Sequence, residues 1–170
     1  MNEIKIKPLT EENATLDYVE WLNNTEINQY LESRFIEHSK KTIAKYITEL
    51  NESKQDYLFG IFDKELGKHI GNIKIGPVNP IYRRAEVGLL IGDKNYWGKG
   101  IASKAISLIC DYSKNELDLH KLEAGCYADN IGSLKAFLKT GFVIEGQLKD
   151  HFRNSNQWCD AYRLGKILVS

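Results

Sequence analysis

The spacing of apolar residues changes repeatedly along the 170-residue chain. The N-terminal segment EIKIKPL alternates between apolar and polar residues, as a β-strand does. TLDYVEWL, and a segment that Ser39 begins as N-cap, instead repeat at helical spacing. The period then returns to two in YLFGIFD, GKHIGNIKIG and AEVGLLIGD, which short turn-rich segments separate. The first half of the chain therefore predicts one strand, two helices and a meander of three strands.

The second half alternates helices with strands. A helix is predicted from Ile101 to Glu116, a strand follows in KLEAGCYA, and a further helix begins at the capping residue Asn130 and ends at Gly141. FVIEGQLKDHF and QWCDAYRLGKILV supply the last two strands. The order β-α-α-β-β-β-α-β-α-β-β predicts an α+β fold with a mainly antiparallel sheet and one parallel step where a helix crosses between strands.

Composition narrows the possible functions. The 23 lysines and arginines balance 23 aspartates and glutamates, so the net charge favours neither nucleic acid nor an anionic membrane as a partner. Cys110, Cys126 and Cys159 are widely spaced, with no CxxC pair and no nearby histidine, so we expect reduced thiols and no metal site. No run approaches the roughly 18 apolar residues of a membrane span. We therefore expect one domain over residues 1–170, in the cytoplasm.

Two glycines, Gly98 and Gly100, directly precede the helix that begins at Ile101, in NYWGKGIASKAI. They are consistent with a tight turn that needs positive φ, or with a loop whose free N–H groups and helix dipole bind a phosphate group. A Walker A loop does not fit, because the spacing from Gly92 is one residue too long and Gly100 replaces the metal-binding hydroxyl. A dinucleotide fingerprint GxGxxG lacks its third glycine at Ser103 and stays open as the weaker alternative.

The loop NYWGKGIA resembles the Q/R-x-x-G-x-G/A pyrophosphate loop of the GCN5-related N-acetyltransferase (GNAT) superfamily, with Asn95 in the Gln/Arg position. DNIGSLKAFLKTGF is similar to the superfamily's N-x-x-S/A followed by K-x-G-F, and IEGQLKDHF and WCDAYRLGKI are similar to its last two strands. The similarity extends over nearly the whole chain. It is greatest to the branch with ribosomal-protein alanine and serine, spermidine and amino-sugar-nucleotide acetyltransferases. The resemblance implies a mixed, mainly antiparallel sheet of about seven strands flanked by about four helices.

The resemblance also implies acetyl-CoA as the acetyl donor, with no metal. The residues expected to bind it form one loop, one strand edge and one helix cap: Trp97, Gly98, Lys99, Gly100, Ile101 and Ala102 for the pyrophosphate, Leu89, Leu90 and Ile91 for the pantetheine arm, and Asn130 near the thioester. Asn130 also fits a purely structural N-cap.

Two residues are expected to carry the proton transfers. A protonated amine must lose a proton before it attacks, and Glu86 is similar in position to a glutamate that serves many members directly or through water. The alternative is a surface carboxylate paired with Arg83 or Arg84. Ser133 is similar in position to the serine that the ribosomal and spermidine branch uses on the leaving sulfur, although it also suits a helix-start hydroxyl. Phe137 stands where many relatives carry a tyrosine acid.

Tyr30, Arg34 and Trp158 are the expected contacts of the acceptor. The first two fall where the superfamily's first helices form the acceptor side of the cleft, and Trp158 lies on a closing strand. Trp21 is predicted to lie in the core because of its helical spacing.

These residues predict an acetyl-CoA-dependent N-acetyltransferase, which is an acyltransferase. Because no cysteine stands beside a plausible base, we expect direct transfer to a primary amine of a small metabolite, such as an amino sugar nucleotide or a polyamine, or of a protein N-terminus. The neutral net charge slightly disfavours polyamines. The alternative is a non-catalytic CoA-responsive binding module. The resemblance implies a monomer or a homodimer.

Overall fold

The computed structural model of the protein describes residues 3–154 and 157–168. Its strands and longer helices follow in this order: β1 Ile4–Pro8, α1 Leu16–Asn23, α2 Thr25–Asn28, α3 Lys40–Glu52, β2 Tyr57–Asp63, β3 His69–Ile75, β4 Arg84–Ile91, α4 Ile101–Asn115, β5 Lys121–Tyr127, α5 Ile131–Lys139, β6 Val143–Asn154 and β7 Gln157–Ile167. Short 3₁₀ helices cover Glu11–Asn13, Glu32–Phe35 and Lys94–Tyr96.

The seven strands form one sheet in the order β1-β2-β3-β4-β5-β7-β6. All neighbouring pairs are antiparallel except β4 and β5, which α4 connects in parallel. The predicted α+β fold is confirmed. The predicted order of elements is also confirmed, apart from α2, whose four residues are too few to show a helical period. An antiparallel meander before the glycine loop excludes the doubly wound sheet of a dinucleotide-binding fold.

Strands β4 and β5 separate soon after they meet. Their pairing runs from Arg84–Lys121 to Glu86–Glu123, whereas β4 continues to Ile91 and stays paired with β3 to its end. A gap therefore opens between two parallel strands in the middle of the sheet. It widens toward the carboxyl ends of the strands, where α4 begins.

Two hydrophobic cores flank the sheet. The larger lies between the sheet and α4 and α5, and it includes the fully buried Ile106 and Phe137. The smaller lies under α1 and α3 and includes Trp21, which is only 5% exposed, so its predicted core position is confirmed. The Trp21 indole lies against Gly92, where a Cβ would come within 1.9 Å of the ring. Only glycine at this position allows α1 to pack on the end of β4.

The face of the sheet that α1 and α3 cover over β2–β4 continues on β5 and β7 as a charged surface. Alternation along β4 places Glu86 and Gly88 on this face. The register between β5 and β7 adds Gly125 beside Arg163, and Glu123 two residues earlier on β5. We call this surface the open face. It lies directly beside the gap between β4 and β5.

Candidate active site

The loop before α4 is held in place by its first turn. The Asp93 carboxylate accepts a hydrogen bond from the Asn95 amide (2.9 Å) and pairs with the Lys68 ammonium (2.7 Å). The Tyr96 hydroxyl donates to Asp63 (2.8 Å). Burial and this hydrogen bond raise the pKa of Tyr96 to about 12, so it stays a neutral donor near neutral pH. The turns after β2 and β4 are thereby fixed to each other.

Gly98 and Gly100 adopt left-handed backbone conformations, with φ of 70° and 75°. A Cβ on either would meet no atom within 4 Å, so the space in front of the loop is open. Within residues 3–154 and 157–168, the N–H groups of residues 98–103 have no protein acceptor, and the first helical bond runs from the Lys104 amide to the Gly100 carbonyl (3.1 Å). We call these donors the amide cluster. They suit a diphosphate at a helix N-terminus.

Trp97 differs from the rest of this loop because its N–H groups already have partners. Its amide donates to the Lys94 carbonyl (3.1 Å), and its indole Nε1 donates to the Ile91 carbonyl (2.8 Å). Its ring is 40% exposed, so it can contact a ligand by its face. Trp97 therefore connects the end of β4 to the loop.

The edge of β4 beyond Glu86 faces the gap. The Gly92 amide donates to Ile70 on β3 (2.9 Å), so alternation directs the backbone groups of Leu89 and Ile91 toward the gap and those of Leu90 toward β3. The Leu90 side chain packs against the smaller core. Of the three predicted residues, Leu89 thus presents its amide and carbonyl to the gap, and Ile91 presents its amide, because its carbonyl accepts from the Trp97 indole.

Asn130 and Ser133 lie beyond the carboxyl end of β5, at the start of α5. The Asn130 side-chain oxygen accepts from the Ser133 amide (3.1 Å), so Asn130 is the N-cap. In the described part of the chain, its Nδ2 group and the Ser133 hydroxyl make no hydrogen bond to protein, so both are free for a ligand. Phe137 is buried and packs edge-on against Phe142, with ring centroids 4.9 Å apart.

Glu86 forms an ion pair with Arg163 across β5. Glu86 Oε1 lies 3.3 Å from Arg163 Nη1, and the side chains are 47% and 41% exposed, respectively. A Cβ on Gly125, which lies between them, would be 3.1 Å from this nitrogen and 3.6 Å from the carboxylate oxygen. The missing side chain at Gly125 therefore lets the two groups meet on the open face. We call them the Glu86–Arg163 pair.

The alternative that Glu86 is paired with Arg83 or Arg84 is wrong. Arg83 has a left-handed backbone (φ 51°) and bonds to Asp118. Arg84 donates from Nη1 to both carboxylate oxygens of Glu123, at 3.0 and 2.8 Å. Neither arginine is paired with Glu86, because the turn before β5 and strand β5 itself offer them the carboxylates of Asp118 and Glu123.

A hydrogen-bonded wall borders the open face at the end of β5. Arg34 donates to the Tyr127 hydroxyl (2.9 Å), and that hydroxyl donates to Glu32 (2.6 Å). Burial, followed by the bond to Glu32, raises the pKa of Tyr127 to about 12. The Tyr30 ring packs 5.4 Å from that of Tyr127, and its hydroxyl donates to the Asp129 carbonyl (3.3 Å). Tyr127 was not predicted from the sequence, although alternation along β5 places it on the same face as Gly125.

The three predicted acceptor residues have different surroundings. Tyr30 is part of this wall. Arg34 is 12% exposed and also donates to the carbonyls of Leu31 (2.7 Å) and Arg153 (3.3 Å), so its guanidinium is largely used by the protein. Trp158 is 62% exposed, and alternation along β7 turns it away from the face that carries Arg163. The structure thus brings Tyr30 and Arg34 together and does not bring Trp158 to them.

Arg34 also lines an open groove of about 810 Å³. Uncharged polar side chains form most of its wall, with two charged and two apolar residues beside them: Asn23, Thr25, Asn28, Gln29 and Asn154, Arg34 and Glu37, Phe35 and Ile36. We call it the amide-lined groove. Its size is that of a small-molecule or peptide site.

The described residues give little support for a metal site, a disulfide or a membrane span. They include no group of three His, Cys, Asp or Glu side chains arranged to hold a metal ion. Cys110, Cys126 and Cys159 are free thiols, and the first two are buried. Of the described helices, none has both the length and the apolar composition required of a membrane span.

Comparison with known proteins agrees with this geometry. A family model described as an acetyltransferase (GNAT) domain matches residues 3–143. The chain is 33% identical over 126 residues to the probable N-acetyltransferase YjcK of Bacillus subtilis, covering 74% of this chain and 68% of that protein. The chain belongs to the GNAT family. It is also 28% identical over 164 residues to spermidine N(1)-acetyltransferase of Escherichia coli K12, covering 96% of this chain and 85% of the other.

A solved structure shares the fold of nearly the whole chain. It is spermidine N-acetyltransferase from Vibrio cholerae in complex with CoA and spermine, with a TM-score of 0.86 and 24% identity over 97% of this chain and 95% of that one. The predicted superfamily, fold and enzyme class are confirmed: the chain is an N-acetyltransferase that uses acetyl-CoA as donor. None of these comparisons supports the alternative of a non-catalytic module.

Proposed function

We propose that acetyl-CoA binds across the gap between β4 and β5 and that a primary amine attacks it directly from the open face. One observation carries this proposal: pairing of β4 with β5 ends at Glu86–Glu123, whereas β4 continues five residues to Ile91. An unpaired strand edge in the middle of a sheet exposes backbone donors and acceptors that need a partner. An extended amide-containing arm provides one by pairing as an additional strand.

The residues around the gap match the diphosphate, the pantetheine arm and the thioester of the donor. The amide cluster, together with the partial positive charge of the α4 N-terminus, binds the diphosphate. Leu89 and Ile91 present backbone groups to the pantetheine arm, and the free Nδ2 of Asn130 donates near the thioester. The two glycines keep the loop open for close approach, because a Cβ on either would project into that empty space.

Glu86 is the proposed base. An alkylamine with a pKa of about 10.4 is almost fully protonated at neutral pH, so it must lose a proton before it attacks. The Glu86 carboxylate lies half exposed on the open face, where it takes that proton directly or through water. The thioester supplies an activated acyl group, and a thiol pKa of about 8.5 makes its sulfur a tolerable leaving group. The Ser133 hydroxyl is the proposed donor to this sulfur.

Acceptors of the proposed reaction are primary amines of small metabolites or of protein N-termini. A polyamine is the rival acceptor, since a relative 28% identical is a spermidine acetyltransferase. We also propose a single domain, a cytoplasmic location consistent with three free thiols, and a monomer or a homodimer.

A broad amine screen tests the proposal. Purified protein is mixed with acetyl-CoA and pools of amines, free thiol is followed over time, and the acetylated products are identified by mass spectrometry. We expect thiol release that depends on the amine, with one acetyl group on the product. Tight CoA binding with only slow hydrolysis, across all pools, would contradict the proposed transfer.

A further inference from the structure

The Glu86–Arg163 pair presents a carboxylate and a guanidinium side by side to the open face. If Glu86 is the base of the proposed function, the acceptor amine must approach within hydrogen-bond distance of it. Anything attached close to that amine then lies beside Arg163. Within the described residues, Glu86 is the one hydrogen-bond partner of the Arg163 side chain, and it occupies one of five N–H donors.

We propose that Arg163 selects acceptors in which a carbonyl oxygen lies next to the amine, as in a free amino acid or the first residue of a peptide. In such an α-amino carbonyl unit, nitrogen and oxygen are about 3 Å apart, because two bonds separate the nitrogen from the carbonyl carbon. Glu86 and Arg163 are themselves 3.3 Å apart. The pair therefore matches the unit in both spacing and polarity.

The same arginine works against polyamines. The second nitrogen of a polyamine is several methylenes from the first and carries a positive charge. It makes no hydrogen bond to a guanidinium, and Arg163 repels it at short range. The two neighbouring carboxylates of the open face, Glu86 and Glu123, are each already paired with an arginine, so little negative charge is left to offset this repulsion.

The amide-lined groove offers a place for the rest of a peptide acceptor, beyond its α-amino carbonyl unit. Arg34 forms one wall of the groove and also contacts Tyr127, which is two residues beyond Gly125 on β5, a step of about 7 Å along the strand. Asn23 is bonded to His38 through both ends of its amide, and Asn28 is buried. The Gln29 side-chain oxygen and the Asn154 side-chain amide, however, have no hydrogen-bond partner among the described residues. Such amide groups pair with a peptide backbone, which carries a donor and an acceptor at each residue. A peptide reaches this groove, whereas a free amino acid ends before it.

The test compares acceptors of one size. Glycinamide carries the carbonyl next to its amine. 2-Fluoroethylamine lacks the carbonyl, but its fluorine makes the amine less basic than an alkylamine, as the carbonyl does in glycinamide. We expect wild-type kcat/KM to favour glycinamide, and Arg163→Gln to reduce this preference about tenfold to a hundredfold, as the loss of a hydrogen bond to a charged group predicts. An effect of the substitution on Glu86 that is common to both amines cancels in the ratio within each variant, and the difference in amine basicity cancels when the ratios of wild type and variant are compared.

Arg84→Gln is the matched control, since Arg84 is exposed on the same face and is bonded to Glu123 rather than Glu86. It should leave the ratio unchanged. Arg163→Lys keeps the charge and should restore part of the preference. Calorimetry with CoA shows that each variant still folds and binds the donor.

Further acceptors separate the two sources of the unit. If glycine is a better acceptor than glycylglycine amide, the acceptor class is the free amino acid; if glycylglycine amide is better, the class is the peptide. Either result supports the role of Arg163. The inference is overturned if wild type does not distinguish glycinamide from 2-fluoroethylamine, if Arg163→Gln leaves the ratio intact, or if spermidine is the better substrate. Failure of every amine, with CoA bound, would instead contradict the proposed transfer.

Discussion

The donor side of the gap consists of backbone groups, whereas the acceptor side consists of side chains. On the donor side, the amide cluster comes from one continuous loop, and its chemistry is that of the backbone. On the acceptor side, Glu86, Arg163 and Tyr127 come from β4, β7 and β5, the rest of the wall comes from the segment before α3, and their chemistry is that of side chains. A backbone site tolerates most side-chain changes, whereas a side-chain site changes with single substitutions. We therefore expect acceptor choice to vary more readily than donor binding.

The largest expected effect is on the donor side. Gly98→Val places a β-branched side chain in the open space of the loop and should weaken CoA binding by at least about 100-fold, because several hydrogen bonds to a charged group are lost. Isothermal calorimetry measures this loss. Gly67→Val is the matched control, since Gly67 also has positive φ (63°) and empty surroundings but lies in the turn after β2. Equal losses in both variants would show that strain, rather than contact with the ligand, is responsible.

The next effect is on the acceptor side. Glu86→Gln should lower kcat/KM by about 100-fold to 1,000-fold, as expected when a general base is removed. The loss should be largest at pH values well below the pKa of the amine, where most of the acceptor is protonated. A pH–rate profile for the variant and the wild type measures it.

Glu123→Gln is the control for this effect, because Glu123 is paired with Glu86 in the strand register but is bonded to Arg84. It should retain nearly wild-type turnover. A similar loss in both variants, or a pH–rate profile unchanged by Glu86→Gln, would remove Glu86 from the proposed role.

A smaller effect separates the two roles of Asn130. Asn130→Asp keeps a side-chain oxygen for the Ser133 amide but loses the Nδ2 donor, so KM for acetyl-CoA should rise about fivefold with little change in stability. Asn130→Ala removes the cap as well and should lower the free energy of unfolding by about 1 kcal/mol. Urea unfolding and steady-state kinetics measure both. An unchanged KM in Asn130→Asp would leave Asn130 with capping alone.

The smallest effect is a pH dependence of stability. The pKa of Tyr127 is about 12 in the folded protein and near 10 when exposed, so the unfolded chain loses this proton first. The free energy of unfolding should therefore fall as pH rises from 10 toward 12. The free energy of unfolding of the Tyr127→Phe variant should fall less steeply over the same range. Tyr96, whose pKa is also raised, accounts for part of the remaining slope. Parallel curves for the two proteins would contradict the role of burial at Tyr127.

The sequence predicted the donor side better than the acceptor side for a physical reason. Gly98 and Gly100 are neighbours, and their conformational requirement is visible in the chain itself. Arg163 lies beside Gly125 because of the sheet register, and Arg34 reaches Tyr127 from the 3₁₀ helix Glu32–Phe35, 93 residues away in sequence. No local pattern records either contact.

The short segments before α3 were missed for a related reason. Helix α2 is capped by Asn24, which accepts from the Glu26 amide, and spans too few residues to repeat a pattern. The order of the long elements was predictable because their apolar faces each cover a core. Which arginine would reach Glu86 depended on Gly125, and a glycine in a strand does not indicate which side chain passes over it.

The contact between Trp21 and Gly92 has a consequence for protein engineering. It joins the first helix, on the acceptor side, to the residue that follows β4, on the donor side. A segment exchanged with a relative to transplant its acceptor preference would have to carry both residues or neither. A larger residue at position 92 would collide with the indole, and loss of the indole would leave a void under α1. The boundary of a useful graft is therefore set by steric fit within the protein rather than by the residues that touch the acceptor.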